Sequence, residues 1–364
     1  MKTRSRLADV AKHAGVSIAT ASAVIAHVTN GNIRVSPETH QRVLAAAAEL
    51  GYVANPAARR LAGGRNRILG IFTFEPIFPL QHHDFFYPFL LGIEEEAERH
   101  GYQLLLFTTV TDAQGQRSIY HDETNLLYMA DGSILLGLNE KKDELRRLQE
   151  EGYPFVYVGR RELPGVAISY AAADYKAATA DLVCRLAALG HRRIVYVGYP
   201  HRIESSLDRE GGFHLGCQQC SLPEVSHAVQ RIMADAINPQ RVQTWLDQGV
   251  SAALVEVDDQ CQALLTVLRQ LGLAVPKDFS IVMLGDPHYT WDSSPDWTMF
   301  TVPRREMGME AVRLLVQRLE RPADAIPRTV SLPCKFVAGQ TIARVRATSD
   351  IGKEVADPTS EPAV

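Results

Sequence analysis

From residue 68 onward the chain repeats one rhythm, and few folds accommodate it. Short apolar runs at 68–74 (ILGIFTF), 103–107 (QLLLF), 133–138 (SILLGL), 155–158 (FVYV), 193–198 (RIVYVG), 252–257 (AALVEV) and 280–284 (SIVML) alternate with amphipathic stretches at 89–100, 142–151, 175–189, 259–271 and 304–319. The runs lack polar–apolar alternation, so strands made from them are apolar on both faces and need cover on both. Strands separated by helices pair in parallel, which gives a doubly wound α/β architecture. The polar, Pro-containing stretch 347–364 is expected to be disordered.

The first 67 residues read differently. They carry ten Lys or Arg against three acids, while the whole chain has a formal net charge of -4. A basic end on an acidic body suggests an appended polyanion-binding module; a merely solubilising terminus is the plainer alternative. Residues 6–14 place Leu7, Val10, Ala11 and Ala14 on one helical face, and Gly15 interrupts them. Ser17 can cap a second helix, 17–26, that buries Ala21 and Val24. Ser36-Pro37-Glu38 has a cap, a first-turn proline and an acid at the positive helix end, so a third helix starts there. It should run to about Leu50, with Val43, Leu44, Ala47 and Leu50 inward and Gly51 as the stop. AARRLAGG, after Asn55-Pro56, can make a further short helix.

Three short helices with a small residue at the crossing (Ala11) and a glycine in the turn fit a small all-α helix-turn-helix domain over 1–54. Its second helix would enter the major groove by its N-terminal end. Ser17, Ile18, Ala19 and Thr20 are then the candidate base-facing residues. Ser22, Arg34, His40 and Arg42 are candidate phosphate contacts, which position the domain without reading sequence. A bundle used for protein contact is the competing reading.

The segments LADVAKHAGVSIATASAVIA and VSPETHQRVLAAAAELGYVANPAARRLAGGR resemble the lac-repressor and purine-repressor family of bacterial regulators. The resemblance implies a homodimer on roughly palindromic double-stranded operator DNA. It also implies a hinge helix at 55–63 within a linker, 55–67, in which Leu61 wedges into the minor groove beside Ala58. An apolar wedge unstacks a base step at a cost of a few kcal/mol, offset by contacts to the bent DNA. Two positions depart from the family: Ala23 stands where Arg is usual and His27 where Asn is common. Losing that Arg removes one possible bidentate guanine contact, worth about 1–3 kcal/mol of discrimination. Weaker G·C readout and more reliance on thymine-methyl contacts from Ile18 and Ala19 are expected.

Residues 68–346 resemble the family's effector domain, which is similar to periplasmic sugar-binding proteins; LLGIEEEAERHGYQLLLF, RLAALGHRRIVYVG and REMGMEAVRLL carry the likeness. Two doubly wound subdomains joined by three crossovers are implied, an N-subdomain of about 68–167 plus 299–328 and a C-subdomain of about 168–298 plus 329–346. A small effector, a sugar or related metabolite, is implied between them. Position by position, Arg209 stands at the effector-binding Arg, whose guanidinium can clamp diol oxygens or a carboxylate. Asp258, Asp286 and Asp174 fall at or beside polar ligand positions, though each could instead cap a helix. Gly285 takes the usual place of the ligand Asp, and Tyr175 replaces an Asn. Phe85 and Phe86 hold the aromatic positions and His83 stands opposite a usual Asn, in a loop longer than the family's. An aromatic floor would stack on an apolar sugar face, although one Phe of the pair is expected in the core. Trp291 and Trp297 either border the cleft or belong to the core.

The family reading implies a transcription regulator, expected to be a repressor, whose operator affinity changes with ligand by about 1–3 kcal/mol. A solute-binding protein or a sugar-active enzyme on the same fold are the alternatives. No P-loop, nucleophile elbow or zinc motif is present. No cofactor is called for, and the His82–His83 pair has no identifiable metal partner. Five scattered cysteines do not suggest a disulfide framework, and Cys217 and Cys220 read as two neighbouring thiols on one helix. With no signal peptide or membrane-length apolar run in the sequence, a cytoplasmic location is expected.

Overall fold

The computed structural model describes residues 5–25, 35–52, 66–76, 85–108, 117–138, 141–223, 227–287, 294–321 and 326–345. Arg34, Ala58, Leu61, His27, His82, His83 and Trp291 lie outside them, as do the expected hinge helix and the stretch 347–364.

Three helices form the N-terminal domain: α1 (Leu7–His13), α2 (Ile18–Ile25) and α3 (Pro37–Glu49). Each start has a local cause. The Arg6 N–H donates to Asp9 Oδ2 at 2.8 Å, the Ser17 hydroxyl accepts from the Thr20 N–H at 3.1 Å, and Ser36 accepts from the Thr39 N–H at 3.2 Å. Gly15 turns the chain between α1 and α2 at φ 64°, a conformation other residues avoid. Val10, Ala11, Ala14, Ala21, Val24, Val43 and Ala46 make a core of their own. Leu44 is a correction: expected inward, it is 40% exposed, and Ala46 takes the inward position instead. Val43 faces the core directly, and its immediate neighbour, about 100° further round the helix, cannot.

The body holds two six-stranded sheets and seven further helices among the described residues. The strands of the first sheet are β1 (Ile68–Thr73), β2 (Gln103–Phe107), β5 (Gly132–Leu136), β6 (Phe155–Val158), β7 (Tyr170–Ala173) and β13 (Thr329–Leu332). Their spatial order is β13-β7-β6-β5-β1-β2, all parallel. The second sheet contains β8 (Ile194–Gly198), β9 (His227–Arg231), β10 (Ala252–Val255), β11 (Ser280–Met283), β12 (Thr298–Thr301) and β14 (Lys335–Val337). Its order is β14-β12-β11-β10-β8-β9, parallel except for the antiparallel β12–β14 pair. A small hairpin, β3 (Tyr120–His121) and β4 (Thr124–Asn125), lies outside both.

Helices α4 (Tyr87–Arg99), α5 (Lys142–Glu150) and α10 (Arg304–Glu320) serve the first sheet. The second has α6 (Tyr175–Ala188), α7 (Glu204–Gln219), α8 (Pro239–Asp247) and α9 (Asp258–Gln270). Alternate strand residues face opposite layers: Ile194 and Tyr196 join the core holding α6 and α7, and Val195 and Val197 join the one holding α8 and α9. No described helix is long and apolar enough to cross a membrane.

Sheet membership corrects the expected subdomain limits. β7 pairs with β6 in the first sheet, so residues 170–173 belong there; β12 joins the second sheet and β13 the first. The sequence marked these strands poorly because they are short, and three of the four residues of β7 are alanine. The chain therefore crosses between sheets near Asp174, at Val302–Pro303 and at Pro333–Cys334. The Asp174 N–H donates to Leu332 O at 2.8 Å, holding two of the crossings together.

The cysteine expectation is also corrected, since Cys184 and Cys220 form a disulfide. Helices α6 and α7 run parallel, so residue pairs 36 apart in sequence meet, and that register places the two sulfurs together. Cys217 stays free and buried, with burial pushing its thiol up to about 12.

Candidate functional site: a DNA-reading helix and an interdomain cleft

In the N-terminal domain the start of α2 is presented outward. Ile18 is 55% exposed, Ser17 and Ala19 are exposed, and Thr20 and Ser22 are half-buried. Four backbone N–H groups at a helix start lack helical partners, which favours negative charge nearby. The Ser17 hydroxyl is engaged twice, by the Thr20 N–H and by the Thr20 hydroxyl at 2.8 Å. It therefore shapes the helix start as well as facing out from it. Arg42 on α3 is exposed and His40 half-buried.

In the body, the strand order of each sheet reverses beside one strand, β1 in the first and β8 in the second. A crevice opens at such points beyond the strand C-termini. A carboxylate stands at each. Glu75, after β1, accepts the Leu138 N–H at 2.7 Å, tying the β1 and β5 loops. Glu256, buried after β10, accepts the Tyr199 N–H at 3.2 Å, the Ser206 hydroxyl at 3.2 Å and Arg202 Nη1 at 2.8 Å, and also the Tyr196 hydroxyl. Burial and this carboxylate together push the Tyr196 phenol well above its ordinary range, so it stays a hydrogen-bond donor.

Between the sheets, Phe85, Phe86, Tyr175, Arg160, Ser205 and Asp208 help to line an inner cavity of about 50 Å³. Phe85 packs edge-on against Phe86 at 5.0 Å between ring centres; Phe85 is half-buried and Phe86 belongs to the core. The Arg209 guanidinium lies 3.9 Å over the Tyr175 ring and donates to Leu284 O at 2.8 Å. Asp286 accepts the Val302 N–H at 2.9 Å and lies 3.4 Å from Arg304, which in turn lies 5.3 Å over Phe85. Phe85 and Phe86 therefore line the inner cavity directly, whereas Arg209 and Asp286 do not line it and approach it only behind Tyr175 and Arg304.

Other expected ligand residues are placed differently. Asp174 Oδ1 accepts the Ala177 N–H at 3.0 Å and caps α6, which is the capping alternative. It borders a recess with Phe300 and Cys334 and does not itself line the inner cavity. Asp258 is buried at the first turn of α9, and it does not line the inner cavity. Trp297 is in the core of the second sheet.

The pairing of Arg160 with Asp208 was missed from sequence. Arg160 Nε donates to Asp208 Oδ2 at 2.9 Å, and Nη2 meets Oδ1 at 2.8 Å, across the cleft from the β6 end to α7. Burial disfavours the cation, but Asp208 together with Glu162 and Tyr170 outweighs burial and raises the Arg160 pKa. Nearby, Glu204 is approached by Arg161 at 3.6 Å, from the loop after β6, and by Lys142 at 3.7 Å, from the start of α5. The available signal was positional: Gly159-Arg160-Arg161 directly follows the apolar run 155–158, where strand ends face the cleft.

A helix-turn-helix domain joined to a two-lobed, cleft-bearing α/β body defines a DNA-binding regulator with an effector domain. Residues 6–55 match the model for bacterial regulatory proteins of the lacI family. Residues 76–241 match that for periplasmic binding proteins and the sugar binding domain of the LacI family, and residues 183–342 a periplasmic binding protein-like domain. The chain is 31% identical over 327 residues to the HTH-type transcriptional regulator CelR of Thermobifida fusca, covering 87% of this chain and 93% of that protein. The solved CelR–cellobiose complex superposes with a TM-score of 0.58 at 26% identity, over 93% of this chain and 100% of that one. The lac repressor dimer bound to operator and the anti-inducer ONPF gives 0.64 at 24% identity, over 94% and 100%, and shows the shared fold. The chain belongs to the lacI family of bacterial regulatory proteins. It is a DNA-binding transcription regulator and not an enzyme.

Proposed function

We propose that the protein is a homodimeric repressor that reads a palindromic operator through α2 and changes its affinity when a sugar or sugar derivative enters the cleft. Ser17, Ile18, Ala19 and Thr20 would face bases, with Ser22, Arg34, His40 and Arg42 on phosphates and Ala58 and Leu61 in the minor groove. Phe85, Phe86, Arg209, Asp286 and His83 would meet the ligand. Asp174 and Asp258 would act on it indirectly, through the ends of α6 and α9.

The observation that carries this reading is the Arg209 guanidinium stacked on Tyr175, whose side chain lines the inner cavity. A held cation beside aromatic surface presents hydrogen-bond donors next to an apolar face, the combination a sugar ring uses. The relative CelR is solved with cellobiose, which supports a saccharide. Ligand would alter the closure of the two lobes, and coupling of about 1–3 kcal/mol would act equally in both directions between ligand and DNA.

The test is operator selection from a random DNA pool, then affinity measurements with and without saccharides at several salt concentrations. A saccharide that shifts operator affinity about fivefold or more supports the reading. Constant affinity across every ligand that binds the cleft refutes it, and a flat salt response refutes the phosphate contacts.

A further inference from the structure

We propose that the Cys184–Cys220 disulfide is a thiol-operated switch: its reduction loosens the seam between α6 and α7, alters the cleft residues at the far end of that seam, and so changes operator affinity. This rests on the coupling of cleft and operator proposed above and adds a second input to it. Cys184 stands near the C-terminal end of α6, and Cys220 is the residue that ends α7. Their Cα atoms are 5.8 Å apart, within the range of about 4.4–6.8 Å over which such a bond closes without rebuilding the backbone. Both residues are half-buried, so the pair is not sealed in the core. A transcription regulator works on DNA, among intracellular thiols. Disulfides are rare in that setting, and those that occur there are mostly transient or redox-sensing.

The seam gives the bond its reach. Turn by turn, Lys176 meets Gly212, Ala180 meets Gly216 and Cys184 meets Cys220, each pair 36 residues apart. A Cβ on Gly212 would overlap Lys176 O, and one on Gly216 would come within 2.8 Å of Ala180 O, so the two backbones touch along the seam without slack. At its other end lie Tyr175, the first residue of α6, and Arg209 of α7, with the guanidinium 3.9 Å over the ring. Ser205 and Asp208, from the same end of α7, line the inner cavity with Tyr175. A close-packed helix pair is thus tied by a covalent bond at one end and carries cleft residues at the other. Two free thiols cannot remain at bonding distance, so reduction parts the C-terminal ends of the helices. Packed interfaces answer such a change by moving to another arrangement, not by absorbing it in place.

Reduction takes two molecules of a small thiol such as glutathione. The thiolate of the first attacks one sulfur of the bond and displaces the other; the thiolate of the second resolves the mixed disulfide. Each cysteine thiolate released takes up the proton its attacker lost, leaving two cysteine thiols and one small-molecule disulfide. That disulfide is the oxidant when the sequence runs in reverse. Cys217 lies one turn before Cys220 on α7 and is buried, and burial pushes its thiol up to about 12. It therefore holds almost no thiolate and does not attack the bond from within.

The test equilibrates the full-length protein with mixtures of reduced and oxidised glutathione. Thiols are trapped by alkylation and read by peptide mass spectrometry, and hydrogen exchange and affinity for an operator selected from random DNA are measured in each state. Cys184 and Cys220 should pass together between disulfide and dithiol, while Cys217 stays a free thiol. Reduction should raise amide exchange at 178–180 and 208–212, and change operator affinity, each by about fivefold or more. The double variant Cys184→Ser, Cys220→Ser should match the reduced protein and ignore glutathione, and Cys217→Ser should keep the response; the wild-type titration decides the matter if a variant folds poorly. A pair that stays oxidised in excess reduced glutathione, or that never oxidises, overturns the switch. Exchange changes confined to the disulfide end mark a purely structural bond and overturn it too, as does equal operator affinity in both states. Operator affinity that responds to glutathione but to no saccharide sustains the switch and refutes the sugar reading, so the two failures are separable.

Discussion

The Arg160–Asp208 pair joins the two lobes across the cleft, and its strength can be worked from its geometry. Each side chain is about one-fifth exposed, 21% and 22%, and one hydrogen bond of 2.9 Å and a second ion-pair contact of 2.8 Å link them. Two unit charges about 4 Å apart attract by about 4 kcal/mol at an effective dielectric of about 20. Desolvation and side-chain ordering remove much of that. Exposed pairs retain about 0.2–1 kcal/mol, whereas hydrogen bonds to charged groups contribute about 1.5–3 kcal/mol. One charged hydrogen bond, a second close contact and partial burial place this pair near the lower end of the second range, at about 1.5 kcal/mol of coupling. The measurement is a double-mutant cycle by urea denaturation, using Arg160→Ala, Asp208→Ala and the double variant. Arg160→Ala alone should cost more than the coupling, because Arg160 also donates to Glu162 and to Glu204 O. A coupling energy below about 0.5 kcal/mol, within the additivity of independent sites, would refute the pair as a bridge between lobes.

Neighbouring glycines on α7 should respond with opposite signs. A Cβ on Gly216 would come within 2.6 Å of Val183 Cβ and 2.8 Å of Ala180 O, so Gly216→Ala should destabilise by about 1–3 kcal/mol. On Gly211 the nearest atom is 3.9 Å away, so Gly211→Ala should stabilise by about 0.5–1 kcal/mol; the same sign for both in urea denaturation would contradict the parallel α6–α7 packing. His191 is buried between Ser251 Oγ at 2.8 Å and Ala343 O at 3.0 Å, and burial lowers its pKa below 6.5 despite the bond to Ala343. The unfolded chain therefore binds the extra proton first: stability should be flat with respect to this group above about pH 6.5 and fall as pH drops below it, a slope that His191→Gln should lose. Operator selection should return A·T-rich positions opposite Ile18 and Ala19 and no strong guanine opposite Ala23, and Ile18→Ala should weaken the chosen operator by about 1 kcal/mol; a guanine preference there would overturn the readout argument.

The parts of the cleft that could be found in the sequence were those with a fixed place in a strand–helix repeat. Arg209, Phe85 and Phe86 could be placed because the resemblance to the family's effector domain assigns each of them a position. Asp174 and Asp258 had the right chemistry in loops of the right kind, but a carboxylate at a helix start has a backbone cap available to it, and Asp174 takes that role. Arg160 and Asp208 are 48 residues apart. No local pattern joins them, and only the approach of the two lobes turns two ordinary surface residues into a bridge.

The alternation of unpatterned apolar runs with amphipathic helices determined the sheets, because a strand buried on both faces has few other solutions. Within those sheets, most strand positions were fixed by composition alone. The capping residues Ser17 and Ser36 and the turn at Gly15 likewise determined the DNA-reading helices, since their interactions span three or four residues. Tertiary structure decided which sheet received the short strands at 170–173, 298–301 and 329–332, since several partners could satisfy their backbone groups. It decided the Cys184–Cys220 pairing through the register of two parallel helices. It also decided the shape and charge balance of the cleft, which come from loops of both lobes and belong to neither segment of sequence alone.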